Sequence, residues 1–356
     1  MFYTLYVGWV EQINKTGVFY NPFLEKHLDG VSHVEQPLRT KNVFDKISKL
    51  LEGRVRFYIS DTKVSLDLLN LTHDQNYINN VLSLKNVESE VFLDPDTIVS
   101  KNSVECALLS AGLTVESTQK VMSGEITNAF VLSRPPGHHT TRNKAMGFCL
   151  FNNVAIATNF LLKEYNLSRI AIVDFDVHHG NGTQDIFYDT DKVLYISTHQ
   201  FPFYPGTGYF NQIGTKDGIG FTINLPLPSG AGDEDFSLVY NEIVSRIIKK
   251  FEPEFVIVSA GFDAHFSDPL GGMNLTDIGF KNIANIIIKS LKNPKVVFVL
   301  EGGYNVDTLP GSVYSVIEEL IFPTTTTVLN PKGETPIFEN VVNEFSKYIN
   351  DYWNLF

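Results

Sequence analysis

An apolar run ends directly in a cluster of acidic residues and histidines near the middle of the sequence. The run Arg169–Val173 is followed by Asp174, Asp176 and His178 at alternate positions. In an extended chain these three side chains lie on one side, because side chains alternate between the two faces of a strand. Two carboxylates held this close repel each other unless a cation neutralises them. The spacing predicts a site for a cation, and an ordinary turn is the alternative.

Four other apolar runs also end in polar or glycine-rich segments. They occupy positions 129–133, 193–197, 255–259 and 296–300, and the segments that follow are Arg134-Pro135-Pro136-Gly137-His138-His139, Thr198-His199, Gly261-Phe262-Asp263-Ala264-His265 and Glu301-Gly302-Gly303-Tyr304. Six of the nine histidines lie in or beside these four segments and the segment that follows Val173. Random scattering would not concentrate them so, and we expect the loops to meet at one site.

Strands and helices alternate along the part of the chain that carries these loops. Apolar spacing predicts helices at about 41–51, 65–69, 74–82, 103–123, 152–165, 234–251 and 277–291, with further strands at 16–20 and 54–60. Strands joined by such helices form a parallel sheet with helices on both faces. Ligands of these sheets bind at the carboxyl ends of the strands. The sequence therefore predicts an α/β fold with its active site at the C-terminal ends of the strands.

Composition is typical of a soluble globular protein, with 43% apolar and 19% charged residues. A net charge of −12 argues against a broad phosphate-binding surface, so we expect no direct binding of nucleic acid. No apolar run reaches the roughly 18 residues of a membrane helix, and the segment 1–20 lacks the basic start of a signal peptide. We expect a cytoplasmic protein, with the nucleus as an alternative, and the sequence leaves an oligomer open.

Residues 1–356 are predicted to form a single domain. No shift in composition, repeat or low-complexity segment marks a linker between Ser133 and Tyr304. The catalytic core is expected at about 16–311. The tail from about 323 to 356 is expected to be an appendage that packs on it.

Asp176, His178 and Asp263 are the predicted metal ligands. Two carboxylates and an imidazole without a thiolate are unlike structural zinc sites, and three protein ligands leave positions open for water and substrate. Asp263 follows its strand as Asp176 follows another, so the two can meet at the edge of the sheet. Asp174 would then accept a hydrogen bond from a neighbouring histidine or contact a structural cation. The alternative is two independent surface loops.

Other loop residues suit acid, base and electrophilic roles. Adjacent His138 and His139 could act as a base and an electrostatic partner, and Tyr304 could donate a hydrogen bond to an oxyanion. A turn for the histidines and a core position for the tyrosine are the alternatives. Aromatic residues around Phe148 and Phe203 could line a narrow channel or belong to the core.

Five longer motifs resemble the zinc-dependent histone deacetylase family. They are Arg134-Pro135-Pro136-Gly137-His138-His139, Gly147-Phe148-Cys149-Leu150-Phe151-Asn152-Asn153, Asp174-Phe175-Asp176-Val177-His178-His179-Gly180-Asn181-Gly182-Thr183-Gln184, Ser259-Ala260-Gly261-Phe262-Asp263 and Glu301-Gly302-Gly303-Tyr304. The resemblance extends from about 16 to 311 and includes 33–39. It implies the arginase-like fold and hydrolysis of acetamides on amines.

Details of the motifs resemble the class II enzymes and their bacterial relatives. Asn181 stands where class I members usually have Asp, and Glu301-Gly302-Gly303 replaces their longer glycine run. The presence of Tyr304 implies full activity. Leu270 stands where acetylpolyamine-specific members carry Glu, which favours acetyl-lysine in proteins or peptides as the substrate.

The resemblance also implies two kinds of bound ion. Zn2+, or Fe2+ in its place, would be bound by Asp176, His178 and Asp263. A structural K+ or Na+ would be held by the carbonyls near Asp174, Asp176, His178 and Thr198, with the hydroxyl of Ser197.

Catalytic roles follow from the same resemblance. His139 would be the general base and later the acid, and Asn181 would orient it. His138, paired with Asp174, would stabilise charge, and Tyr304 would polarise the acetyl carbonyl. The residues expected to bind the substrate are Asp96, Gly147, Phe148, Phe203 and Leu270.

The expected reaction is hydrolysis of the acetamide of N6-acetyl-lysine, which releases acetate and lysine. Acetylpolyamine hydrolysis is one alternative. A module that binds acyl-lysine without turnover is another, although the intact set of predicted catalytic residues speaks against it. An arginase-like site with two metal ions is less favoured, because the sequence offers no second set of Asp and His ligands.

Overall fold

An eight-stranded parallel sheet forms the centre of the protein in a computed structural model, which describes residues 15–326, 328–329, 331 and 333–356. The prediction for the N-terminal segment therefore lies largely outside the described residues. The strands are β1 (Thr16–Tyr20), β2 (Arg56–Ile59), β3 (Val91–Asp94), β4 (Thr97–Val99), β5 (Asn128–Val131), β6 (Ile170–Asp174), β7 (Val193–Gln200), β8 (Thr222–Leu227), β9 (Phe255–Ala260) and β10 (Val296–Leu300). Strand order in the sheet is β2-β1-β5-β10-β9-β6-β7-β8, and β3 and β4 form a separate antiparallel hairpin.

Helices connect these strands and cover the sheet. They are α1 (Leu38–Leu50), α2 (Leu66–Leu69), α3 (Gln75–Ser83), α4 (Ser103–Met122), α5 (Asn153–Glu164), α6 (Asn181–Phe187), α7 (Asp233–Val239), α8 (Ser245–Phe251), α9 (Asp277–Lys289), α10 (Leu309–Ile321), α11 (Pro336–Tyr348) and α12 (Asn350–Trp353). A π-helical turn, Tyr240–Val244, joins α7 to α8, and short 3-10 helices lie at Pro22–Lys26 and Lys216–Gly218. Within the described residues no helix is both long and apolar enough to cross a membrane.

The central strands are buried along their whole length, which explains their apolar sequences. Every residue of β5, β6, β9 and β10 is buried. Helices α9 and α10 pack together over the sheet, and α4 packs with α5. Apolar residues on both faces of a strand are what a parallel sheet between two helical layers requires. The predicted α/β fold is confirmed.

Some elements differ from the sequence-based prediction. The strand β8 was not predicted, because Pro226 lies within it and proline is unfavourable inside a sheet. It is tolerated because β8 is an edge strand. The strand β7 extends to Gln200, so Thr198 and His199 belong to the strand and not to a loop after it. The predicted helix at 234–251 is interrupted by the π-helical turn.

Further elements were missed. Helix α6 begins at Asn181, within a Gly-Asn-Gly sequence that is typical of a turn. Helix α10 and the hairpin of β3 and β4 were also not predicted. The hairpin is only partly buried, so it lacks the strong apolar signal of the central strands.

The C-terminal tail packs on the outer end of the sheet. Helix α11 contacts α7 and β8, and the indole of Trp353 donates a hydrogen bond to the carbonyl of Gly220 at 2.8 Å. Phe345 and Trp353 are buried. The apolar side chains of the tail thus pack against the rest of the protein. The predicted boundaries of the catalytic core and the appendage stay a prediction.

Candidate active site and metal centre

Asp176, His178 and Asp263 meet at the C-terminal edge of the sheet. Asp176 and His178 follow β6 and Asp263 follows β9, and these two strands are neighbours. One ligand atom from each residue lies within 4.8 Å of the others, and no other such group was found among the described residues. The Nδ1 atom of His178 is 3.1 Å from Asp176 Oδ1 and 3.2 Å from Asp263 Oδ2. The alternation of side chains along an extended segment brings the first two together.

The chemistry of this group fits a divalent cation. The Oδ2 atom of Asp263 is buried and accepts no hydrogen bond from the described residues. Burial and the charge of Asp176 raise the pKa of Asp263 to about 7. Burial alone would lower the pKa of His178, but its hydrogen bond to Asp176 and the nearby charge of Asp263 raise it to about 10. The group thus favours added positive charge, and its oxygen and nitrogen donors suit a metal ion.

Backbone groups hold both carboxylates in place. Asp176 Oδ2 accepts a hydrogen bond from the Gly302 amide at 2.8 Å, and Asp263 Oδ1 accepts one from the Val177 amide at 2.9 Å. A Cβ atom on Gly302 would lie 2.0 Å from Asp263 Oδ2. Glycine at this position is therefore required for the close approach of the loop after β10 to the carboxylates.

His138 is paired with Asp174, as the sequence predicted it could be. Its Nδ1 donates to Asp174 Oδ2 at 3.1 Å, and the hydroxyl of Tyr195 donates to the same oxygen at 3.1 Å. Burial would lower the pKa of His138, but the charges of Asp176 and Asp174 raise it to about 10. The two carboxylates therefore favour the protonated form of His138.

His139 has the opposite electrostatic environment. Its Nδ1 donates to Asn181 Oδ1 at 2.8 Å, which leaves Nε2 without a proton in the neutral ring. Burial and the charges of His138 and His178 hold the pKa of His139 well below its usual value. Two adjacent imidazoles thus differ in charge, and His139 is the one able to accept a proton.

Tyr304 is held on three sides. Its backbone amide donates to Asp268 Oδ2 at 2.6 Å, the guanidinium of Arg39 lies 4.8 Å from the centre of its ring, and Phe148 packs edge to face at 5.7 Å. Burial keeps the pKa of Tyr304 well above its usual value. The phenol is therefore a protonated hydrogen-bond donor at neutral pH.

A cavity of about 460 Å³ opens onto these groups. It is lined by Asp96, His139, Gly147, Phe148, His178, Gln200, Phe203, Tyr204, Pro269, Leu270, Gly271, Gly272 and Tyr304. All five residues expected to bind the substrate are in this lining. Phe203 stacks on the ring of His178 at 5.3 Å. Tyr204, which the sequence analysis included only among the aromatic residues around Phe203, packs its ring edge to face against His139 at 5.2 Å.

Asp96 lies in the turn between β3 and β4. Its Oδ1 accepts hydrogen bonds from the Gly147 amide at 3.1 Å and from the Thr97 hydroxyl at 2.9 Å. One oxygen of this carboxylate therefore fixes the hairpin to the loop that carries Phe148. A role for Asp96 in binding the substrate stays a prediction.

Of the residues predicted to hold a monovalent cation, Asp174 ends β6, Asp176 and His178 follow it, and Ser197 and Thr198 lie on the neighbouring β7. Asp174 and Ser197 are register partners of these two strands. The hydroxyl of Ser197 is 2.8 Å from His199 Nδ1, and that of Thr198 is 2.9 Å from the hydroxyl of Tyr240. The cation site stays a prediction.

Two acidic residues at the site had no assigned role in the sequence analysis. Glu301 Oε2 accepts hydrogen bonds from the amides of Gly137 at 2.7 Å and His138 at 3.2 Å. Asp268 holds the loop of Tyr304. Glu301 belongs to a quoted motif, but its partners lie more than 160 positions away, so no local pattern could indicate them.

Comparison with known proteins gives the family. The family model described as the histone deacetylase domain matches residues 33–320. The chain belongs to the histone deacetylase family. A crystal structure titled as the HDA15 HD domain has 31% sequence identity and a TM-score of 0.88, and the match covers 96% of each chain. The arginase-like deacetylase fold is thereby confirmed, in a family of hydrolytic deacetylases.

Relatives of this histone deacetylase family member occur in archaea and eukaryotes. A probable deacetylase of Archaeoglobus fulgidus is 36% identical over 327 residues, which are 90% of each chain. Histone deacetylase HDA1 of Candida albicans is 39% identical over 298 residues, which are 79% of this chain and 36% of the fungal protein. Histone deacetylase 18 of Arabidopsis thaliana is 37% identical, with 86% of this chain and 47% of the plant protein covered. The chain thus spans less than half of these eukaryotic relatives.

Proposed function

We propose that the protein is a zinc-dependent deacetylase that hydrolyses the acetamide of N6-acetyl-lysine in proteins or peptides. One observation carries the proposal. A single cavity opens onto the group of Asp176, His178 and Asp263, which favours a cation, and onto the neutral imidazole of His139 and the protonated phenol of Tyr304. These are the three components that hydrolysis of an unactivated amide needs.

The metal would be bound by Asp176, His178 and Asp263. When bound, it would supply Lewis-acid polarisation of the attacking water and of the acetyl carbonyl. The two carboxylates keep their orientation through the backbone amides of Gly302 and Val177.

Proton transfer is assigned to His139. Its Nε2 is the free acceptor, because Nδ1 donates to Asn181. It takes a proton from the attacking water and later gives it to the leaving amine of lysine. The charged ring of His138, 4.1 Å away between centroids, opposes protonation of His139, so that the proton is given up readily.

The developing negative charge on the carbonyl oxygen is stabilised by Tyr304. Its phenol keeps its proton and is oriented by Arg39 and Phe148 before a substrate binds. A donor that is already oriented does not reorganise during the reaction, which favours the transition state over the ground state.

The cavity favours an extended aliphatic chain next to the acetamide. Phe148, Phe203, Tyr204 and Leu270 provide apolar or aromatic contacts for the methylene groups of a lysine side chain. Asp268 is buried and does not line the cavity, and its oxygens accept hydrogen bonds from the amides of Leu270, Tyr304 and Asn305, so it is not placed to pair with a polyamine. These features support a lysine side chain over a polycation.

A substrate panel with metal analysis of the same preparation tests the proposal. We expect acetyl-lysine peptides to be hydrolysed at least about tenfold more efficiently than acetylpolyamines. The variant Leu270→Glu should shift the ratio toward acetylpolyamines. Preference for acetylpolyamines in the unaltered protein would overturn the substrate assignment, and binding of the peptide without turnover would overturn the enzymatic one.

A further inference from the structure

A second group of charged side chains is buried beside the active site and has no part in the proposed chemistry. It consists of Glu35, Arg39 and Arg134, and none of the three side chains is exposed. Glu35 Oε1 accepts hydrogen bonds from Arg39 Nη1 and from Arg134 Nε, both at 2.8 Å. One carboxylate oxygen thus joins two guanidinium groups that come from distant parts of the chain.

Arg39 connects this group to the loop after β10. Its Nε donates to the carbonyl of Gly303 at 2.6 Å, and its Nη2 donates to the carbonyl of Glu301. Its guanidinium also lies 4.8 Å from the centre of the Tyr304 ring. The position of Arg39 therefore constrains both the backbone and the ring of the loop that carries the phenol.

Arg134 connects the same group to the loop after β5. It is the first residue of the segment that leads through two prolines to His138 and His139. Its Nη1 donates to the carbonyl of His27 at 2.7 Å, and its Nη2 donates to the carbonyl of Glu35 at 3.2 Å. The beginning of the histidine loop is thus held by the carboxylate that also holds Arg39.

The charge of Glu35 is what permits this arrangement. Burial would raise the pKa of Glu35, but the guanidinium groups of Arg134 and Arg39 bring it down to about 2, so it is ionised at neutral pH. Its second oxygen lies 3.5 Å from His27 Nε2, and burial keeps the pKa of His27 down at about 3, so that ring adds no charge. Without the carboxylate, two buried cations would face each other uncompensated, which is strongly unfavourable.

We propose that Glu35 is a positioning residue that fixes the histidine loop and the Tyr304 loop relative to each other. It acts through Arg134 and Arg39 and touches neither substrate nor metal. This inference rests on the proposed function, because it assigns a kinetic consequence to the alignment of His139 with Tyr304. A displacement of about 1 Å between groups that act together can lower a rate roughly 100-fold.

The variant Glu35→Gln tests the proposal, since it keeps the shape of the side chain and removes its charge. We expect kcat for an acetyl-lysine peptide to fall roughly 10- to 100-fold while KM changes less than about twofold. In a Tyr304→Phe background the same substitution should lower kcat by less than about threefold, because the aligned phenol is already absent. Equal effects in both backgrounds would overturn the positioning role.

Glu319→Gln is the matched control. Glu319 is also a fully buried glutamate, but its partners are Asn285 and Thr324, away from the cavity. It should reduce thermal stability and leave kcat per folded protein within about twofold. If kcat falls as much in Glu319→Gln as in Glu35→Gln, both losses come from general destabilisation, and the proposal is overturned.

Crystal structures of the unaltered protein and of Glu35→Gln separate this inference from the proposed function. Absence of peptide hydrolysis by the unaltered protein would contradict the function alone. The structures should show Tyr304 displaced relative to His139 in Glu35→Gln, whatever the substrate. Superimposable positions of these two side chains would overturn the positioning role.

Discussion

Two groups of buried charge lie next to each other in this protein and have opposite composition. The first has two carboxylates and one imidazole, from Asp176, Asp263 and His178, and it opens onto the cavity. The second has one carboxylate between two guanidinium groups, from Glu35, Arg39 and Arg134, and it is closed to solvent.

The difference shows that buried charged groups can have different roles in one protein. In the first group, the carboxylates outnumber the cations and one buried oxygen has no hydrogen-bond donor, so a further cation is favoured. In the second group, the protein supplies the cations itself, and both guanidinium groups also donate to backbone carbonyls. The first group is suited to bind a metal, and the second to fix the loops around it.

Removal of a carboxylate from the first group should have the largest effect. We expect Asp263→Ala to lose bound metal. Loss of a residue that only hydrogen-bonds a metal ligand lowers activity up to roughly 100-fold, so turnover in this variant should fall by more than that. Metal content and peptide hydrolysis measured on one preparation check this. Normal metal content in the variant would remove Asp263 from the proposed ligand set.

Substitution of the phenol should have the next largest effect and should leave the first group intact. Tyr304→Phe removes the donor to the carbonyl oxygen, so kcat should fall about 100- to 1,000-fold. Metal content should stay near normal, because Tyr304 is not a proposed ligand. Undiminished deacetylation by this variant would contradict the role assigned to the phenol.

The smallest expected effect concerns the stability of the second group. The pKa of Glu35 is lowered to about 2 in the folded protein from an ordinary 4.5, so its ion pairs contribute fully above pH 4.5 and are lost as the pH falls toward 2. At neutral pH we expect the free energy of unfolding of Glu35→Gln to be lower than that of the unaltered protein by on the order of 3 kcal/mol.

Denaturant unfolding at several pH values measures that difference directly. The gap between the unaltered protein and Glu35→Gln should narrow as the pH falls from 4.5 to 2. A gap that stays constant over this range would show that ionisation of Glu35 is not the source of its stabilising effect.

The sequence was sufficient for the fold and for the position of the first group for a physical reason. Its residues follow apolar strands directly, and parallel strands bring their carboxyl ends to one edge. The second group leaves no such pattern, because Glu35 and Arg134 are 99 positions apart and Arg39 reaches a carbonyl 264 positions away. Contacts of this kind depend on the fold and cannot be read from local spacing.

Elements with conflicting local signals were also beyond prediction. Pro226 concealed the edge strand β8, and the glycines around Asn181 concealed the start of α6. Asn181 Oδ1 nevertheless lies 2.8 Å from His139 Nδ1, and its role in orienting His139 stays a prediction.

Titration of the metal-free protein with Zn2+ tests the central claim most directly. The protein would be stripped with a chelator, and bound Zn2+ and hydrolysis of an acetyl-lysine peptide would be measured at each step. The account predicts that activity is absent without metal and rises in proportion to bound Zn2+ until one site per chain is filled. Full activity in the stripped protein, or saturation with Zn2+ without any turnover, would contradict it.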